Sequence, residues 1–119
     1  MIYTIKEMAE KTGISQYTLR YYDKIGLLPE LRRNKNGARQ YTEEDFQTLE
    51  LIRCLKVGNM PLKEMKAFLE LYNQGDKTVE ERLTLLRAHR EALQKQIAEM
   101  QCAMEVIGCK IACLECKIK

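Results

Sequence analysis

Between Leu86 and Ile118 apolar residues fall at Leu86, Leu93, Ile97, Met100, Met104, Ile107, Ile111, Leu114 and Ile118, in steps of three and four with Arg90 as the one polar interruption. Such a seam, sustained over four to five heptads, predicts one helix of about 40 residues, roughly 60 Å long at the α-helical rise. The part of the chain before it is too small to cover that seam, so the pattern predicts pairing with a second copy of the chain. A helix folded back on its own domain is the other arrangement open to it. On the paired reading, Ile107, Ile111, Leu114 and Ile118 face the partner. Cys102, Cys109 and Cys116 recur every seven residues on the opposite side with Cys113 nearby.

A chain of 119 residues is one domain, or a small domain with an extension. No apolar run approaches the roughly 18 residues a membrane helix needs, and "MIYTIKEMAE" lacks the basic start and apolar stretch of a signal peptide. The expected location is therefore cytoplasmic and reducing, with no membrane partner. There, five cysteines point to free thiols, metal ligands or redox sensors before a disulfide framework. The net charge of +3 is unevenly placed: from Gln16 to Tyr41, Arg20, Lys24, Arg32, Arg33, Lys35 and Arg39 stand against Asp23 and Glu30. A basic stripe of this kind can neutralise phosphates, although a solvated basic surface looks the same in sequence.

Local signals organise the rest. Thr4 with Glu7 forms a capping box for a helix from about Ile5 to Lys11, which Gly13 ends; Ser15 caps a second helix to about Ile25, stopped by Gly26. Two short helices about a tight glycine turn have the form of a helix-turn-helix. Two short strands, near Leu31 to Arg33 and Ala38 to Tyr41, flank Asn36-Gly37 and predict a wing, with Pro29 just before it. Thr42 and Asp45 open a third helix carrying Phe46, Leu49, Ile52 and Leu55, broken at Gly58. Pro61 starts a fourth with Leu62, Met65, Leu69 and Tyr72 inward. The expected layout is a DNA-binding domain over 1–73, a linker over 74–77, and a dimerisation helix with a cysteine-rich end over 78–119.

The blocks "TLRYYDKIGLL" and "NGARQYTEED", within a match running from residue 3 to 72 almost without gaps, resemble the MerR family of bacterial transcription regulators. The resemblance implies a mainly α fold: a winged helix-turn-helix with a small two-stranded wing, a helical second wing, and a long antiparallel coiled-coil dimerisation helix. It also implies a homodimer on a near-palindromic operator in promoter DNA with an over-long spacer, distorting that DNA so that RNA polymerase can engage it. Gln16, Tyr17, Arg20 and Tyr21 lie on the first half of the second helix, where such motifs face the major groove. Arg20 and Tyr21 match the family's DNA-facing pair. Arg33, Asn36, Arg39 and Tyr41 match backbone contacts of the wing, and Lys63 the phosphate contact of the second wing. For Tyr22 and Tyr41 the competing role is a core aromatic, with Tyr41 read as the DNA contact, and Arg39 can pair with Glu43 or Glu44 instead.

"LELIRCLKVGNMPLKEM" followed by "NQGDKTVEER" resembles the aldehyde- and electrophile-responsive, NmlR/AdhR-like branch, which implies Cys54 as sensor. Its thiolate would need electropositive help and access, and Arg53 and Lys56 lie off its helical face. A buried small hydrophobe is the competing role for Cys54. The family's drug-binding members need a further C-terminal domain, for which no sequence follows Lys119. Cys109, Cys113 and Cys116 are the candidates for a soft metal ion, either along a continuous helix or in a loop if Gly108 ends it; no other cofactor is expected. His89 is expected to be exposed. No nucleophile-base pair or phosphate loop is present, so an enzyme is not expected. The rival functions are an architectural DNA-binding coiled coil without an effector and a metal-buffering protein.

Overall fold

The computed structural model describes residues 1–28 and 31–118; Pro29, Glu30 and Lys119, which the sequence reading placed at the entry to the wing and the end of the last helix, lie outside the described residues. The chain divides into two units, Met1–Asp76 and Lys77–Lys119. The first holds β1 (Ile2–Tyr3), α1 (Ile5–Thr12), α2 (Gln16–Lys24), β2 (Arg32–Arg33), β3 (Arg39–Thr42), α3 (Glu43–Val57) and α4 (Leu62–Asn73). A single 3-10 turn over Asp76–Thr78 precedes α5 (Val79–Ile118).

Side-chain chemistry explains the helix ends. Thr4 and Thr42 form reciprocal capping boxes with Glu7 and Asp45, and Ser15 caps α2 by accepting from the Thr18 amide. At the end of α2, Gly26 takes a φ of 82°. Its amide donates to Asp23 O at 3.1 Å and that of Leu27 to Tyr22 O at 3.0 Å, which turns the chain inward to bury Leu27 and Leu28. Helix α3 ends at Gly58 as expected, but the glycine is not the residue that takes the left-handed conformation. Gly58 keeps a φ of −79°, and Asn59 takes the left-handed place at 62°. Asn tolerates that region better than most side chains. Asn59 and Met60 donate to Lys56 O and Leu55 O at 3.0 and 2.9 Å, so the same capping geometry is completed one residue later.

The sheet also differs from the two-stranded wing that the sequence suggested. It is antiparallel with three strands in the order β1-β3-β2: Ile2 and Tyr3 pair with Thr42 and Tyr41, and Arg32 and Arg33 with Gln40 and Arg39. Two residues carry no alternation from which β1 could be read, and the strand exists only because β3 offers it a free edge. The wing turn is likewise not an Asn-Gly two-residue turn. Gly37 donates to Asn34 O at 3.0 Å, and the Asn34 side chain accepts from the amides of Asn36 and Ala38. Only Gly37 of that pair has a positive φ, as in a type I turn closed by a left-handed residue.

The core of the first unit gathers Met8 from α1, Leu19 and Tyr22 from α2, Tyr41 from β3, Leu49, Ile52 and Leu55 from α3, and Met65, Phe68 and Leu69 from α4. Phe68 takes an inward place that the sequence reading gave to Leu62, which is exposed. Truncating a fully buried member such as Leu49 to Ala should cost about 2–5 kcal/mol. The buried Thr12 hydroxyl is satisfied locally, donating to Met8 O and accepting from the Ile14 amide.

In the second unit α5 runs unbroken for 40 residues. Gly108 does not end it, so the alternative of a cysteine-bearing metal loop is overturned. Arg82, Leu86, His89 and Leu93 are its half-buried residues in steps of four, three and four, while Arg90 is exposed. His89 therefore occupies the seam place assigned to Arg90. It is not the exposed residue expected, and its Nε2 is enclosed with no hydrogen-bond partner. From Ile97 to Ile118 every seam residue is at least half exposed in the single chain.

Candidate nucleic-acid interface

Helix α2 is amphipathic because Leu19 and Tyr22 must enter the core. Helical spacing then turns Gln16, Tyr17, Arg20, Tyr21 and Lys24 outward. Tyr17 is 80% exposed and Tyr21 45%, with the Tyr21 ring tilted against Tyr22 at 6.4 Å. Arg20 Nη2 donates to Gln16 Oε1 at 3.3 Å, which aligns two side chains able to make paired hydrogen bonds to base edges.

Beside this face the wing contributes Arg33 and Arg39, and both bind Asp23 of α2. Arg33 Nη2 donates to Asp23 Oδ2 at 2.7 Å and Arg39 Nε to the same oxygen at 2.6 Å. Arg39 thus pairs with neither Glu43 nor Glu44, the partners that nearness in sequence suggested. Glu43 instead accepts from the Tyr3 hydroxyl at 2.8 Å, and that bond raises the Tyr3 pKa. Arg33 Nη1 also donates to Gly37 O at 3.1 Å, tying the strand to the wing tip where Asn36 stands exposed. Between α2 and the wing lies an open cleft of about 510 Å³ lined by Tyr17, Arg20, Tyr21, Asp23, Lys24, Arg33 and Arg39. Four cations around one carboxylate leave it net positive, a surface suited to a phosphodiester backbone.

Two other expected contacts fare differently. Tyr41 requires a correction: it is 0% exposed, and its hydroxyl is buried without a partner. The strand places it on the inward face between Gln40 and Thr42, so it fills the core and presents nothing to a phosphate. Burial raises its pKa, with Asp23 and Asp45 adding to the shift and Arg39 and Arg33 opposing it. Lys63 is exposed in the first turn of α4, whose N-cap, Pro61, makes no side-chain capping bond. Its amides and the Lys63 ammonium together favour an anion at that end.

The thiols are all free and exposed, Cys54 included. Cys54 is thus not the buried hydrophobe that a lone helical cysteine more often becomes. Its neighbour Arg53 donates to Glu50 at 2.9 Å, a bond that raises the guanidinium pKa. Arg53 and Lys56 line a groove with Gly13, Ile14 and Ser15 at the α1–α2 turn. Cys109, Cys113 and Cys116 lie on one continuous helix. Among the described residues no three His, Cys, Asp or Glu side chains gather to hold a metal ion.

Asp23 is the interface residue that sequence reasoning passed over. It counted there only as an acid subtracting from a basic stripe. An isolated carboxylate near the end of a basic helix was the available signal, but its partners lie 10 and 16 residues further on.

A winged helix-turn-helix with an exposed, basic second helix, followed by a long helix with an unpaired apolar seam, defines a dimeric DNA-binding transcription regulator. The chain belongs to the MerR family: the pattern of the MerR HTH family regulatory protein matches residues 3–71, and that of the MerR DNA-binding region residues 46–107. It is 46% identical over 112 residues to an uncharacterised HTH-type transcriptional regulator of Haemophilus influenzae, covering 94% of this chain and 83% of that one. It is 35% identical over 89 residues to the HTH-type transcriptional regulator AdhR of Bacillus subtilis, covering 75% of this chain and 64% of the relative. Among solved structures it is similar to HiNmlR, a MerR family regulator lacking the sensor domain, bound to promoter DNA. The TM-score is 0.81 with 47% identity, over 88% of this chain and 80% of that one. This likeness places the chain with the NmlR branch. Among the described residues no helix is long and apolar enough to cross a membrane.

Proposed function

We propose that the protein binds a near-palindromic promoter operator as a homodimer and distorts an over-long spacer so that RNA polymerase can engage both promoter elements, in response to a thiol-reactive electrophile at Cys54. The observation that carries the DNA contact is the exposed face of Tyr17, Arg20 and Tyr21, with the half-buried Gln16 hydrogen-bonded to Arg20, beside the cationic cleft of Arg33 and Arg39. Base readout comes from Gln16 and Arg20, while Tyr17, Tyr21, Arg33, Asn36, Arg39 and Lys63 position the protein on sugar and phosphate. That HiNmlR was solved on promoter DNA supports this use of the same fold. The seam from Ile97 to Ile118 supports pairing, which would present two α2 helices to half-sites about one helical turn apart.

The exposure of Cys54 supports it as the sensing thiol. Its thiolate would add to the electrophilic carbon, which for an aldehyde gives a hemithioacetal, with the proton passing to the former carbonyl oxygen. A second reading, a soft metal ion held by Cys109, Cys113 and Cys116, rests on their exposure along one side of α5. Footprinting on the promoter beside the gene tests the first reading. A palindromic footprint whose cleavage pattern changes with quinone, and which Arg20→Ala abolishes while the protein stays dimeric, is the expected result. Salt-dependent binding without sequence preference would instead mark an architectural protein.

A further inference from the structure

We infer that Asp23 is a positioning residue for operator recognition, holding the two wing arginines in place for phosphate and locking the wing to the recognition helix. The inference rests on the DNA-binding reading above and assigns a role to a side chain that would not itself touch DNA.

The geometry sets a puzzle that electrostatics alone does not solve. Asp23 is a carboxylate in a surface that must approach a polyanion, and among the described residues it is the only acidic side chain lining the cleft. Taken as a bare charge it opposes binding, and its removal should tighten association with any DNA. Its side chain is only 15% exposed, however, because two guanidiniums cover it. Arg39 uses Nε on Asp23, which leaves its two terminal nitrogens to donate elsewhere. Arg33 is held at both ends of its fork, by Asp23 Oδ2 and by Gly37 O.

Free arginine side chains lose much rotamer freedom when they grip a phosphate. Here that freedom is already lost in the unbound protein, so less is surrendered on binding. The same oxygen also joins α2 to both β2 and β3. It thereby fixes the distance from Arg20, the base reader, to the backbone contacts of the wing. A wrong operator register then misplaces one set whenever the other fits, which is how rigid spacing becomes specificity.

Asp23→Asn, which keeps the shape of the side chain and removes its charge, tests this. Affinities are measured by fluorescence anisotropy over a salt series, for a duplex selected by the wild-type protein from a random pool and for its scrambled sequence. The expected result is a loss of about tenfold on the selected duplex with unchanged or tighter binding to the scrambled one, because preorganisation is lost while net charge rises. A double-mutant cycle supplies a readout that a merely structural role would not produce: in the Arg33→Ala, Arg39→Ala background Asp23→Asn should cause no loss of affinity for the selected duplex, leaving only the tightening that follows from removing a negative charge. Equal tightening on both duplexes, or an undiminished loss in the double-alanine background, overturns the inference. Failure of the wild-type protein to select any sequence would instead overturn the DNA-binding reading beneath it.

Discussion

Lys11 Nζ lies 4.4 Å from the centre of the Phe46 ring and 5.4 Å from that of Tyr3, so one ammonium joins α1 to α3 and to the first strand. Contacts of this kind contribute about 0.5–2 kcal/mol, depending on how far water is excluded. Lys11→Met, which keeps most of the stem but removes the charge, should lower the unfolding free energy by about 1 kcal/mol. Chemical denaturation followed by circular dichroism would show this as a lower midpoint at unchanged slope; an unaltered midpoint would show the contact to be energetically idle.

The orphaned Tyr41 hydroxyl leads to the opposite sign. Removing a buried polar group that has no partner relieves a desolvation penalty of about 1–3 kcal/mol, so Tyr41→Phe should leave the protein as stable or more so. Its operator affinity should stay within a factor of about two, as for any change distant from the bound DNA. Burial holds the folded-state pKa of Tyr41 above 10.0. Below pH 10 both folded and unfolded states carry the proton and the group adds no slope. As pH rises further the unfolded state deprotonates first, so wild-type stability falls toward the folded pKa. Tyr41→Phe should lose that part of the alkaline decline, and a phosphate contact by Tyr41 would reveal itself as a drop in affinity.

Ile107 and Ile111 are 58% and 51% exposed in the single chain and face along the seam. Burial of one such side chain contributes about 1.5–3 kcal/mol, and an aspartate there would carry its charge into the interface. Ile107→Asp with Ile111→Asp should convert the dimer to a folded monomer in sedimentation experiments and weaken operator binding by more than tenfold, because two half-sites are no longer held together. A dimer that persists would place the interface elsewhere.

Cys54→Ser should eliminate induction by a quinone or aldehyde in a reporter strain while leaving uninduced promoter occupancy unchanged. The triple replacement of Cys109, Cys113 and Cys116 by Ser should leave electrophile induction intact. The reverse pattern would move sensing to the end of α5.

The caps show why so much of this fold was legible. Thr4 with Glu7, Ser15, and Thr42 with Asp45 act within one helical turn, so the side-chain bonds that start α1, α2 and α3 are written in neighbouring residues, and Pro61 marks the start of α4 without such a bond. The seam of α5 was legible for the same reason: a heptad repeat is local, however long it runs. Where the reading went astray, the deciding contact was distant in the chain or had two local solutions. The strand β1 needs Tyr41 and Thr42 across the sheet, and Phe68 rather than Leu62 turns inward because of what packs on α4. Asn59 took the left-handed place since either it or Gly58 could close the helix.

By itself the sequence determined the helix order, the outward face of Gln16, Tyr17, Arg20 and Tyr21, and the need of α5 for a partner, all from periodicity and capping chemistry. Only the tertiary structure decided that Tyr41 belongs to the core, that Cys54 is open to solvent, and that Arg33 and Arg39 converge on Asp23. Those outcomes depend on which elements meet across the sheet and the cleft. Burial and the pairing of charges are properties of neighbours in space, and neighbours 10 or 16 residues apart in the chain leave no local mark on it.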